Sequence, residues 1–156
     1  DKNNISPEIL IPKYIELCSK YHTFIKEHNG DYLSNETLMA HRYLEIQAVN
    51  VAPEFAISET RALIKIMREY DFKKELDIIL EISYNSKKWK KWLSNKSKLN
   101  NFEKSVLSMH YIYSKSDFKE IKNKINSSLS FDLDAYLRKS INSSIIRYLS
   151  SFGYYR

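Results

Sequence analysis

Glycine is nearly missing from this chain: two residues in 156, beside three prolines and one cysteine. Glycine serves turns that need a left-handed backbone or a close approach, so a complete α/β enzyme of several strands would carry more of it. The shortage favours a mostly helical chain, or a helical part of something larger. The lone Cys18 excludes an internal disulfide and a cysteine-based zinc site. It falls in a helical pattern and reads as a small core residue. No apolar run approaches the ~20 residues of a membrane span, and no signal peptide is visible. A membrane partner is therefore not expected, and the cytoplasm is the default compartment. The sequence also lacks a serine–histidine–acid set, a phosphate-cradling glycine loop, a zinc finger and a dinucleotide fingerprint.

What is present fits one globular domain with a core of its own: 43% hydrophobic and 28% charged residues. The net charge of +6 permits a nucleic-acid partner. Lys, Asn, Ile, Ser and Tyr are all abundant, however, which is a pattern of genome base bias. Nucleic-acid binding is accordingly not expected.

One stretch organises the chain. Thr23 to Leu33 and Leu44 to Phe55 are short apolar runs that end abruptly in polar residues. Ser6-Pro7-Glu8 reads as a helix start over about 7–20, with a cap, a proline at the first position and an acid at the dipole's positive end. Ile9, Leu10, Tyr14, Ile15 and Leu17 recur at helical spacing. His22 to Glu27 reads as a strand with Phe24 its most buried residue, broken by Asn29-Gly30-Asp31. Ser34-Asn35-Glu36 opens a helix of about 35–42. Leu44 to Val51 reads as a second strand covered on both faces, ended by Pro53. A helix of about 57–69 turns Ile57, Ala62, Leu63, Ile66 and Met67 inward.

Beyond Asp71 the pattern is helical throughout. Helices are expected over 72–84, 102–111, 117–128 and 134–150, with a short one at Lys87-Lys-Trp-Lys-Lys-Trp-Leu93. Asn85-Ser86 and Ser116 are candidate caps, and 95–101 reads as a polar loop. The fold class is α/β, predominantly helical, and consecutive strands joined through a helix predict a right-handed parallel pairing. Two strands alone leave unpaired edges, so further residues or another chain are expected to pair with them.

The order of these motifs resembles the C-terminal part of a known family, the non-catalytic subunit of class II D-tagatose-bisphosphate aldolase. Glu27-His28-Asn29-Gly30-Asp31-Tyr32 looks like the family's strand end, and Val51-Ala52-Pro53 like its Val-Gly-Pro. Lys88-Trp89-Lys90-Lys91-Trp92 and Tyr113-Ser114-Lys115-Ser116-Asp117 are similar to two later elements. The closing helix, Tyr136 to Tyr148, stands where the family has its last. The likeness runs in order over about 8–150. It departs where Ala52 replaces the glycine, Asn50 a lysine, and Phe118-Lys119-Glu120 an aromatic run.

The resemblance implies a TIM-barrel-like fold. Residues 1–70 would supply the last two strand–helix units and 71–156 a helical C-terminal region, in one larger domain that begins upstream of residue 1. It implies phosphorylated sugars as ligands, in aldol-type lyase chemistry or in support of a catalytic aldolase partner or a homo-oligomer. It also implies a divalent metal, whose identity stays unknown. The rival expectation is a non-enzymatic helical scaffold or protein-interaction domain.

Loops after barrel strands open onto one mouth. Glu27, His28, Asp31 and Glu54 are the candidate catalytic residues, since imidazole and carboxylate suit proton transfer near neutral pH. Asn29, Asn50 and Arg61 are candidates for binding substrate, Arg being well suited to phosphate. The bland alternative makes Asp31 the cap of its own turn, Glu54 a helix cap and Arg61 a salt-bridge partner. Metal binding by these residues alone is not expected, because a site takes three or four ligands. His41-Arg42 reads as structural, favoured by a helix's C-terminal dipole. His110 reads as a satisfied core histidine. The Lys-Trp run could bind nucleic acid or an anionic membrane. As a helix it would instead share Trp89, Trp92 and Leu93 on one packed face.

Overall fold

The computed structural model describes residues 7–93 and 97–154. Ser6, Asn95 and the side chains of Pro7, Glu8 and Ile9 lie outside the described residues. The elements are α1 (Pro7–Lys20), β1 (Lys26–Glu27), α2 (Asn35–Tyr43), β2 (Ala48–Val49), α3 (Pro53–Glu69), α4 (Lys73–Asn85), α5 (Asn101–Ser108), α6 (Ser116–Ser128) and α7 (Leu133–Ser151). Two 3-10 turns, Lys88–Lys91 and Met109–Ile112, flank α5. The chain is thus mostly helical, as the sequence predicts, with only two short parallel strands. Among the described residues no helix is long and apolar enough to cross a membrane.

Two compact units divide the chain: residues 1–54 with 144–156, and residues 55–143. The first contains the βαβ step. β1 and β2 pair in parallel, Lys26 opposite Ala48 and Glu27 opposite Val49, with α2 as the crossover. Ser34 caps α2, its hydroxyl accepting the Thr37 N–H at 3.2 Å.

Both strands are much shorter than the apolar runs predict, and helix endings explain why. After α1, His22 turns left-handed at φ 51°. The Thr23 N–H reaches back to Cys18 O at 2.9 Å and the His22 N–H to Ser19 O at 3.2 Å, which is a Schellman closure. Residues expected to begin the strand therefore finish the helix. Glu45 (φ 56°) repeats the device after α2: Ile46 N–H donates to His41 O at 3.0 Å and Glu45 N–H to Arg42 O at 3.2 Å. Phe24, expected to be the most buried residue of its strand, is 80% exposed. Leu44 is exposed as well, so the second run is not covered on both faces. Pro53 does not end β2 but opens α3, a position where its missing N–H costs nothing. Tyr14 and Leu17, in the apolar pattern of α1, are exposed.

Helix packing organises the second unit. Leu63, Ile66 and Met67 of α3 pack with Ile79 of α4, Met109 and Ile112 of the second 3-10 turn, Phe118 and Ile125 of α6, and Leu133 and Leu137 of α7. The inward residues predicted for α3 are all buried. Asn100 and Glu103 form a capping box at the start of α5. Where α4 meets α5, Ser83 donates to Ser105 O at 2.7 Å, and Ser105 donates to Leu80 O at 2.9 Å. Thr60 and Tyr113 join hydroxyls at 2.8 Å. Burial raises the Tyr113 hydroxyl's pKa, only partly offset by Thr60.

Three local expectations change here. Ser116 is the first helical residue of α6, with Lys115 in the cap position. The Lys-Trp run is a 3-10 turn, not an α-helix, and leaves Trp92 exposed. His110 is not satisfied: its Nδ1 is buried without a partner among the described residues, and burial pulls the imidazole pKa down.

Candidate functional site

The parallel register sends the loops after β1 and β2 out of the same edge. The Asn50 N–H donates to Glu27 O at 3.0 Å, and the Gly30 N–H to Asn50 O at 3.0 Å. The two loops are thereby laced together one residue beyond the strands. Gly30 is buried, and a Cβ there would stand 2.1 Å from Val49 Cγ1. Only glycine allows this approach. Six of the seven predicted site residues, Glu27, His28, Asn29, Asp31, Asn50 and Glu54, lie on this laced edge. Arg61 belongs to the other unit and is exposed.

Each of the three carboxylates is held by a specific partner. Glu27 meets His41 Nε2, and His41 Nδ1 lies 2.6 Å from Thr37 O. His41 is buried, with Phe152 edge-on to its ring. Among the described residues, Asp31 bonds the neighbouring loop and not its own turn. Its Oδ1 accepts the Ala52 N–H at 3.1 Å and the Glu54 N–H at 2.8 Å, so it caps α3 from the neighbouring loop.

Glu54 is the centre of a polar clamp. Its carboxylate accepts from Arg147 at 2.7 Å, from the Tyr148 hydroxyl and from the Tyr32 N–H. Tyr32, which gives this amide, sits at φ 62°. Arg147 also donates to Leu33 O and to Asn35 Oδ1, both at 3.0 Å, and its guanidinium lies 4.5 Å from the Tyr148 ring centroid. The Tyr148 hydroxyl additionally lies 2.8 Å from Gly30 O. Burial pushes the Glu54 carboxyl up, but Tyr148, Tyr32 and Arg147 together outweigh it and hold its pKa below the ordinary value. Burial and the Glu54 carboxylate raise the Tyr148 hydroxyl's pKa.

His28, Asn29 and Asn50 remain at the exposed edge. His28 Nδ1 lies 3.3 Å from Asn29 Oδ1. Arg147 and Tyr148 are members of the arrangement that the sequence does not single out, whereas His41, read from the sequence as structural, holds Glu27. Arg147 and Tyr148 stand 93 and 94 positions from Glu54, so no local spacing signals them.

Among the described residues, no group of three or more His, Cys, Asp or Glu side chains could hold a metal ion. The three carboxylates point at three separate partners. The donor set of the described residues does not by itself fit the divalent metal that the resemblance implies. Comparison with models of known protein families, with characterised proteins and with solved structures finds no match for this chain.

Proposed function

We propose that this chain is an accessory part of a sugar-phosphate protein of the tagatose-bisphosphate aldolase type, working in the cytoplasm. It supports a catalytic partner and does not itself supply the acid and base of the aldol reaction. The likeness of Glu27-His28-Asn29-Gly30-Asp31-Tyr32 and the later motifs to that family supports the substrate class. The TIM-barrel-like architecture belongs to the same reading. In its favour is the parallel β1–α2–β2 step with both loops on one edge, the repeating unit of such barrels.

The engagement of all three candidate carboxylates carries the accessory assignment. Glu27 is tied to His41, Asp31 caps α3, and Glu54 holds Arg147 and Tyr148. A general base needs a lone pair free to meet substrate, and here both oxygens of Glu54, Oε2 of Glu27 and Oδ1 of Asp31 are engaged in holding the edge in shape. His28, Asn29 and Asn50 remain to hydrogen-bond a sugar hydroxyl or phosphate.

The test mixes the purified chain with a class II aldolase and tagatose 1,6-bisphosphate. The accessory reading expects a complex by sedimentation, a longer half-life of the aldolase on warming, and no cleavage by the chain alone. Cleavage by the chain alone that is lost in a folded Glu27→Gln variant would replace it with the catalytic reading. Absence of both complex and ligand-induced stabilisation sinks the sugar-phosphate assignment.

A further inference from the structure

The chain's net charge is not spread over its surface. Residues 87–104 hold seven lysines against one glutamate, Glu103, a net of +6 that equals the net charge of the whole chain. Elsewhere acidic and basic residues balance. Base bias in the genome would scatter lysines along the chain; it would not place the entire surplus in eighteen residues.

Among the described residues, most of this charge lies open. Lys87, Lys88, Lys90, Lys91 and Lys98 are exposed. Lys87, at φ 54°, turns the chain out of α4 into the 3-10 turn Lys88–Lys91. Among the described residues, no ion pair uses a lysine of this segment. Aromatic rings take the place of carboxylates. Lys90 and Lys104 lie 5.8 and 5.1 Å from the Trp89 ring centroid, and Lys91 lies 5.7 Å from that of Tyr111. Trp89 is itself fixed, its indole N–H donating to Tyr84 O at 3.0 Å and its ring stacked on Tyr84. Trp92, one residue beyond the turn, is 45% exposed.

We propose that this patch binds single-stranded nucleic acid, with the lysines on phosphates and Trp92 stacking on a base. Phosphate suits lysine, a compact point charge, whereas carboxylate recognition at protein interfaces favours the fork of arginine. The segment from 87 to 104 contains no arginine. A four-residue 3-10 turn lacks the long apolar face by which an amphipathic helix enters a lipid surface. An exposed indole, Trp92, in the same short segment as exposed lysines supplies the two components of a sequence-tolerant strand site. The inference is independent of the sugar-phosphate reading, since it uses none of the same residues.

The test titrates the whole chain with oligo(dT) and oligo(U) at low salt, following tryptophan fluorescence and oligonucleotide anisotropy. Quenching with saturable binding is expected. Five phosphate contacts would weaken affinity by about 100-fold between 50 and 200 mM salt. Trp92→Ala should weaken binding by roughly 5-fold or more, and Lys88→Ala with Lys91→Ala should flatten the salt dependence. Lys119→Ala with Lys139→Ala, outside the patch, should change neither. All these side chains are exposed, so matching circular dichroism melts establish that the variants fold. No binding at low salt overturns the proposal, as does binding that survives the lysine substitutions. Binding to phosphatidylserine vesicles without binding to either oligonucleotide overturns it in favour of a lipid surface.

Discussion

Replacing Glu54 with glutamine tests the polar clamp most directly, because it keeps shape and removes charge. Three donors converge on the carboxylate: Arg147, Tyr148 and the Tyr32 amide. In the variant Tyr148 retains Gly30 O, and Arg147 retains Leu33 O and Asn35 Oδ1. The principal loss is the charge-assisted bond to Arg147. The side chains of that pair are 30% and 13% exposed, between a solvated pair worth up to about 1 kcal/mol and a buried pair whose breaking costs about 3–5 kcal/mol. A loss of about 2 kcal/mol follows, within the range for hydrogen bonds to charged groups. Urea denaturation at pH 7, followed by circular dichroism, measures it. The pH dependence adds a second check. The Glu54 pKa is lowered in the folded chain, so its contribution is fully present above the unfolded carboxyl value of about 4.3. It is lost as pH falls through the folded value, and the native chain and Glu54→Gln should then converge. A stability difference that stays constant from pH 7 to pH 3 would refute the clamp, as would a loss below about 0.5 kcal/mol at pH 7.

Asp31→Ala removes the cap of α3 and should cost about 1–2 kcal/mol by thermal or urea melting, with Asp31→Asn recovering most of it. Gly30→Ala drives a Cβ to 2.1 Å from Val49 Cγ1; an overpacking loss of about 1–3 kcal/mol is expected, together with faster exchange of the Gly30 and Asn50 amides. Glu45→Gly relieves a left-handed non-glycine backbone and should stabilise by about 0.5–1 kcal/mol; a destabilised variant would show that the Glu45 side chain has a role of its own. Among the described residues, the first unit buries three hydrophobic side chains, Leu38, Ile46 and Tyr148, against fourteen in the second. Native-state hydrogen exchange should therefore show amides of α2 opening at lower free energy than those of α3 beyond Ile57 or of α4.

The helices were legible because apolar residues at helical spacing must share a face. Leu63, Ile66 and Met67 are buried for that reason. The strands are shorter than their apolar runs for an equally physical reason. A Schellman closure usually announces itself by glycine, and this chain closes α1 with His22 and α2 with Glu45. Sequence alone gives no sign that such residues have turned left-handed, so apolar runs beside them look like strands. The scarcity of glycine also misleads about turns. His22, Tyr32, Glu45, Asp71 and Lys87 all adopt positive φ, where glycine would be the unstrained choice.

The edge residues divide along the same lines. That Glu27, Asp31, Asn50 and Glu54 would gather at one end of a parallel pair follows from strand order alone, and the lacing of Gly30 to Asn50 realises it. What each carboxylate does there depends on partners that strand order cannot supply. Asp31 finds amides 21 and 23 positions away, and Glu54 finds Arg147 on the last helix. With so few apolar side chains buried in this unit, these bonds carry an unusual share of its order. The edge holds together through these charges: Glu27 meets His41, Asp31 two amides, and Glu54 Arg147 and Tyr148. Freeing Glu54 for chemistry would uncover the Arg147 guanidinium and the Tyr32 amide together. Any ligand that displaced it would therefore have to be an anion able to satisfy both.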